Sequence, residues 1–365
     1  MMKKMTVFFL LIAIIFTFST TALAESKATI LQNEEDRHIA VKGQGSDGTF
    51  PVNPEIAGVS PTTGMPWKGE YKPMLVIIDN TDGGIGDRAP WGASYADILY
   101  ETPLHKNGHT LLNFLFSDTV PERVGPIRSA RVTHAELREE WDAGFLFYGG
   151  QDSEGTNIYD VFRDTGANQK GILFSGIVST GKPWKKYYSR VEDIVSPYNV
   201  SADVKAMQVL IPSGFKAPSR PYLFTDELPA QGNPASSITI TLNLPEYSSS
   251  FLYDPDTNRY LRFVGGEPYA DAETKEQLSF SNLIIQRTSV TYYLGFKERP
   301  VTKNIGSGNA DIFMGGRYIP GYWVRTGMNQ RTVFFDQNGN EIALQRGKTF
   351  ISLLDDGTQV TYASK

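Results

Sequence analysis

The sequence predicts an α+β protein, with an N-terminal α/β domain over residues 71–215 and a mostly antiparallel β domain over residues 216–365. Two patterns carry this. In the first part, short apolar runs that suit buried strands alternate with a long stretch of helical period. After Pro212 the helical period fades, and short β-branched and aromatic runs follow one another between turn-rich segments.

Two segments precede the folded body. Residues 1–24 read as a cleavable signal peptide: Lys3 and Lys4, an apolar run from Val7 to Phe18, then Ala22-Leu23-Ala24 before Glu25. The run is shorter than the roughly 20 residues that span a bilayer, so an uncleaved anchor is the lesser alternative and no other segment reaches spanning length. Residues 25–70 are polar and rich in Gly, Pro, Ser and Thr, which predicts a flexible linker.

The elements follow in order. Met74-Leu75-Val76-Ile77-Ile78 between Pro73 and Asp79 suits a strand buried on both faces. Ile98 to Tyr100 and Leu111 to Phe116 read as strands. Ile127 to Trp141 reads as a helix, with Ile127, Ala130, His134, Leu137 and Trp141 on one face. Phe145 to Tyr148 is a further buried strand, and Ser201 is placed to cap a helix ending near Val209. In the second domain, Phe251 to Tyr253 and Arg259 to Val264 flank a hairpin turn at Asp254-Pro255-Asp256-Thr257-Asn258. Leu283 to Gln286, Val290 to Leu294, Ile312-Phe313, Val333 to Phe335 and Thr349 to Leu354 continue the strands.

Composition narrows the function. There is no cysteine among the 365 residues, hence no disulfide, thiolate ligand or lipidation site. The chain carries 35 Lys+Arg against 40 Asp+Glu, and removing the signal with its two lysines makes it more acidic still. That charge balance disfavours nucleic acid as a partner. The four histidines, His38, His105, His109 and His134, are too scattered for a metal site.

Three clusters in the first domain can carry chemistry. Asp79-Asn80 ends the opening strand, where ligands collect in open α/β sheets. The glycines that follow, in Thr81 to Arg88, fit neither a phosphate loop nor a dinucleotide fingerprint. Asp97 and Glu101 flank the strand Ile98-Leu99-Tyr100, and alternation puts Glu101 on the face of Leu99. Glu101 either forms an acid–base couple with Asp79 or neutralises a nearby arginine. Gly125-Pro126-Ile127-Arg128-Ser129-Ala130-Arg131 opens the predicted helix, and two guanidinium forks three residues apart suit a carboxylate or phosphate. The structural alternative is a buried network of these arginines with Asp79, Asp97 and Glu101. Trp184-Lys185-Lys186-Tyr187-Tyr188-Ser189-Arg190 mixes aromatics with cations and suits either a glycan groove or a domain seam. Gly-x-Ser-x-Gly and His-Glu-x-x-His are absent.

At these clusters the chain resembles the YerB-type lipoprotein family, a bacterial two-domain family. The resemblance runs from about Lys72 to Leu354. It is most specific at Val76 to Asn80, at Arg88, Gly92 and Ala96 to Glu101, and at Val124 to Arg131. In the second half Tyr260, Asn282 to Gln286, Gly306-Ser307-Gly308, Gly321-Tyr322-Trp323 and Gly347-Lys348-Thr349 also fit. The chain departs at Pro197-Tyr198-Asn199, where the family tends to show Pro-His-Asn, and at Thr110-Leu111, where it tends to show Thr-Arg. The lipid-bearing cysteine of the family is missing, and the resemblance transfers no activity.

The expected function is an exported, extracytoplasmic cell-envelope protein that binds a wall polymer or another exported protein. The candidate ligand-binding residues are Arg88, Arg128, Arg131, Asn80, Tyr198 and Asn199. The alternative is an envelope enzyme, a phosphotransferase or hydrolase, in which Arg88, Arg128 and Arg131 hold an anionic substrate. Asp79, Asp97 or Glu101 would then move a proton or bind Mg²⁺.

Overall fold

The structure, a computed structural model, describes residues 28–31, 39–81, 89–106, 108–177, 181–293 and 299–364. The signal peptide and Arg88 therefore lie outside the described residues.

One eleven-stranded sheet forms the body. Its strands in chain order are β1 (Met74–Asp79), β2 (Ile98–Pro103), β3 (Thr110–Phe116), β4 (Gly144–Phe147), β5 (Leu173–Ser175), β6 (Asn233–Pro234), β7 (Asn282–Thr288), β8 (Gly306–Met314), β9 (Arg317–Arg325), β10 (Val333–Asp336) and β11 (Thr349–Asp355). They lie in the order β6-β9-β8-β7-β11-β2-β3-β1-β4-β5, with β10 also on β9. The two halves of the chain meet inside this sheet: β11 pairs in parallel with β2, from Thr349 opposite Ile98 to Ser352 opposite Glu101. A second, seven-stranded sheet is built mainly from Ser237–Thr241, Ser249–Asp254, Arg259–Val264 and Gln359–Ala363.

Three helices stand out: α1 (Val132–Trp141), α2 (Ile158–Asp164) and α3 (Val204–Val209). Alternation along β1 explains the layers. Leu75 and Ile77 face Leu137 and Trp141 of α1 and Phe162 of α2. Met74, Val76 and Ile78 face α3 and the second sheet, through Val204, Met207, Ile238 and Phe251. Every residue of β1 is buried, which accounts for its unbroken apolar run.

The protein is mostly β with few helices, and the N-terminal half is not a regular α/β unit. β2 and β3 form an antiparallel hairpin, β3 pairs antiparallel with β1, and only β1, β4 and β5 run in parallel. Parallel strands need crossovers; antiparallel ones need only a short connection, as between Pro103 and Thr110.

Three further expectations are corrected. The helix begins at Val132 rather than Ile127, because residues 125–130 run extended between neighbouring strands. Ile127 bridges Ile78, the Arg128 amide donates to the Ile77 carbonyl (2.9 Å), and the Ala130 amide to the Gly149 carbonyl (2.9 Å). α3 is capped by Asp203, whose Oδ1 accepts the Ala206 amide (2.8 Å), while Ser201 sits in the strand Val200–Ala202.

Where it is described, at residues 28–31 and 39–70, the stretch expected as a flexible linker is instead laid on the body. Thr29–Leu31 pairs antiparallel with Gln359–Ala363. Phe50 is buried, 5.2 Å from the Phe335 ring. Ser60 and Thr63 donate to the two carboxylate oxygens of Asp118 (both 2.6 Å), and Trp67 Nε1 donates to the Asp118 carbonyl (3.0 Å). Its small polar residues thus serve as hydrogen-bond donors to a half-buried acid, a role that composition cannot distinguish from solvation.

Candidate functional site

β1 and β4 pair only at their beginnings, from Met74 opposite Gly144 to Val76 opposite Leu146. Beyond that point they part, and residues 125–130 enter the gap: Arg128 bonds Ile77 on one side, and the Tyr148 amide donates to its carbonyl on the other (2.9 Å). The inserted segment lies at the carboxyl ends of the parallel strands, where the sheet parts and where ligands usually bind in such sheets; this parting is the crevice. Arg128 and Arg131 stand in it. The sequence therefore places both arginines at one site, by a strand insertion rather than by a shared helix face.

Arg128 keeps 22% of its side chain exposed and approaches Asp79 only to 3.7 Å, from Nε to Oδ1. Its guanidinium lies over the Tyr198 ring, 5.0 Å from the centroid, and its buried Nη1 has no protein acceptor. Such stacking suits the planar arginine fork. Asp79 is turned toward Thr81, whose hydroxyl lies 3.1 and 3.0 Å from the two carboxylate oxygens.

Arg131, the residue before α1, gives Nη1 to the carbonyls of Ala130 (3.2 Å) and Ser129 (3.4 Å), while its Nε is buried without an acceptor. Burial, followed by the charges of Arg299 and Arg128, pulls its pKa down to about 10. Arg128 and Arg299 are thus near enough for their charges to act on Arg131.

Asn199 accepts from Arg190 Nη1 (2.6 Å), and Arg190 lies over the Tyr148 ring at 5.5 Å, so these residues form one wall. The exposed Lys182, Lys185 and Lys186 continue it, with Lys182 over Trp184 (5.4 Å) and Lys186 over Tyr187 (4.9 Å).

The remaining candidates go elsewhere. In β1 and β2, Asp79 sits opposite Leu111 and Glu101 opposite Leu112, which belong to opposite faces of the sheet. Asp79 and Glu101 therefore cannot act as one acid–base couple. Glu101 is buried with Arg262 of the second sheet (3.0 Å), and also accepts from Thr110 (2.7 Å), Asn80 (3.3 Å) and Ser249 (3.3 Å). This is the arginine-neutralising role, with the arginine coming from the other half of the chain. Asn80 is fully buried in the same network, where its Oδ1 accepts from the Tyr269 hydroxyl (2.8 Å), so it does not reach the crevice.

Asp97 is buried away from both. Its Oδ2 accepts from the amides of Ser117 (2.6 Å) and Asp118 (2.9 Å). Desolvation, then repulsion from Asp118, raises its pKa to about 7. His134 packs in the core as expected; burial lowers its pKa to about 3, its Nδ1 accepts the Arg131 amide (3.0 Å) and Nε2 meets the Thr102 hydroxyl (3.0 Å).

A Mg²⁺ site from Asp79, Asp97 and Glu101 is therefore not formed, and among the described residues no three His, Cys, Asp or Glu side chains are grouped to hold a metal. Among those residues, too, no helix is long and apolar enough to cross a membrane.

Sequence reasoning missed Arg299, Gln151 and Asp118. Arg299 and Gln151 reach Arg131 only through the fold: the Gln151 amide donates to the Ala130 carbonyl (3.2 Å), and both polar atoms of its buried side chain lack a protein partner. Only the Gly149-Gly150 pair hinted at a close approach there, and a Cβ on Gly150 would lie 2.1 Å from Ile158.

The chain is 25% identical to "Putative lipoprotein YerB" of Bacillus subtilis (strain 168) over 79% of its own length and 82% of the relative. The crystal structure of YerB protein from Bacillus subtilis shares the fold, with a TM-score of 0.66 and 24% identity, covering 81% of this chain and 96% of that one. Residues 62–213 match the N-terminal domain of a protein family of unknown function, DUF3048, and residues 238–351 match its C-terminal domain. The chain belongs to the DUF3048 family, with both of its domains present.

Proposed function

We propose that this protein acts outside the cytoplasm, in the cell envelope, by binding an anionic wall polymer along the Arg128–Arg131 crevice and the cationic wall beside it. The observation that carries the reading is the pair of buried guanidinium donors, Arg128 Nη1 and Arg131 Nε, that no protein acceptor meets, beside an Arg128 side chain that keeps 22% of its surface exposed. Buried donors left unmatched cost free energy, and an anion at this place removes the cost.

A polymer fits better than an isolated ion. Lys182, Lys185, Lys186 and Arg190 extend the positive surface, and Trp184, Tyr187 and Tyr148 supply flat apolar faces among the charges. Binding is favoured over catalysis because Asp97 and Glu101 are committed to buried partners, leaving Asp79 as the candidate acid at the crevice. The envelope location draws on the signal-like residues 1–24 and on the relative named as a lipoprotein.

Co-sedimentation of the purified protein with isolated, protein-free cell-wall fragments tests the reading. Binding is expected at low salt and should fall steeply toward 0.5 M salt, about where screening shortens electrostatic reach to a few ångströms. No sedimentation at any salt would overturn it. Recovery of an exported protein partner instead, from envelope extracts but not from stripped walls, would replace the polymer by that partner.

A further inference from the structure

The crevice also indicates which anion it takes. Arg128 and Arg299 both act on the charge of Arg131, and the carboxylate of Asp79 lies 3.7 Å from Arg128, so positive charge gathers around Arg131. Arg128 and Asp79 do not close a bidentate pair: their 3.7 Å separation exceeds a hydrogen bond, and the Thr81 hydroxyl contacts both Asp79 oxygens. The unmatched donors come from two separate forks, the buried Arg128 Nη1 and Arg131 Nε, and the side-chain amide of Gln151, whose backbone bonds Ala130, is unpartnered as well.

A planar carboxylate is satisfied in one plane by a single fork. A phosphate offers three terminal oxygens in different directions and a charge near −2. We infer that the crevice binds a phosphate group in its dianionic form, so that the polymer recognised is a phosphorylated one. This deepens the reading given above and rests on it.

The test is calorimetric titration of the purified protein with glycerol 2-phosphate, sulfate and acetate at constant ionic strength, at pH 5 and pH 8. A phosphate monoester loses its second proton near pH 6, so only about a tenth is dianionic at pH 5. Its affinity should therefore rise about tenfold at pH 8, whereas sulfate, dianionic at both, should change little. Acetate should bind far more weakly than the phosphate at pH 8. Arg128→Gln and Arg131→Gln should each weaken phosphate binding severalfold or more, and Arg131→Lys, which keeps charge but loses the fork, should rescue it only in part.

Equal binding of acetate and phosphate would overturn the dianion assignment while leaving anion binding intact. Absence of binding by all three probes would overturn both. Phosphate binding unchanged in Arg128→Gln and Arg131→Gln would place the anion elsewhere and overturn the assignment. Should Arg131→Gln fail to fold, the partly exposed Arg128 still decides the outcome.

Discussion

Replacing Arg262 with Met probes the contact that locks the two halves of the chain together. Arg262 is 0% exposed, holds Glu101 of β2 at 3.0 Å, and lies over the rings of Tyr269 (4.4 Å) and Phe350 (5.0 Å). The substitution leaves the Glu101 carboxylate buried with neutral donors only, from Asn80, Thr110 and Ser249. Removing one partner of a buried pair costs about 3–5 kcal/mol, whereas replacing both by neutral groups of similar volume is often nearly neutral. Arg262→Met should therefore cost about 3–5 kcal/mol, and Glu101→Gln combined with Arg262→Met should recover about 2 kcal/mol or more of it. Urea unfolding followed by tryptophan fluorescence, arranged as a double-mutant cycle, measures both quantities. Because β11 and β2 share one sheet, the loss should appear in a single transition. A cost below about 1 kcal/mol, well under the buried-pair range, would refute the reasoning, as would strict additivity or two separated transitions.

Three further outcomes follow from the same geometry. Asp97, with its folded pKa raised to about 7, binds a proton in the folded state that the unfolded chain gives up near pH 4, so its contribution to stability is full below that value and is lost as pH rises to 7. Asp97→Asn should remove this downward slope from a series of unfolding curves between pH 4 and pH 7; an unchanged difference between variant and parent across that window would contradict it. Phe50→Ala should cost about 2–3 kcal/mol through the lost contact with Phe335, and should speed limited proteolysis within residues 39–70; resistance equal to the parent would contradict the docked N-terminal segment. Arg128→Ala should change stability by less than about 1 kcal/mol, since its ion pair is long and partly solvated, so a large fall in Tm would mark the residue as structural.

Much of the strand pattern was legible, because a strand buried on both faces leaves a continuous apolar run. β1, β3 and the hairpin from Ser249–Asp254 to Arg259–Val264 lie where their sequences put them. The segment before α1 was misread because Ile127 and Ala130 are buried at helical spacing while extended; burial alone does not report the period. The pairing of β11 with β2 joins residues some 250 apart, and nothing local records it. At the site, Arg128 and Arg131 stood out through their unusual pairing after Gly125-Pro126. The acids did not sort themselves, since Asp79 and Glu101 differ only in which face of a common sheet they occupy, and the partner of Glu101 came from Arg262 in the distant half.

Arg128 and Arg131 are proposed to hold the anionic group of a wall polymer. Binding of the purified protein to isolated wall fragments, compared with Arg128→Gln and Arg131→Gln variants of unchanged Tm, tests it most directly. Each variant should lose about tenfold or more in affinity, the scale of a lost charge-assisted contact, with a shallower dependence on salt. Equal binding by parent and variants at every salt concentration would contradict it.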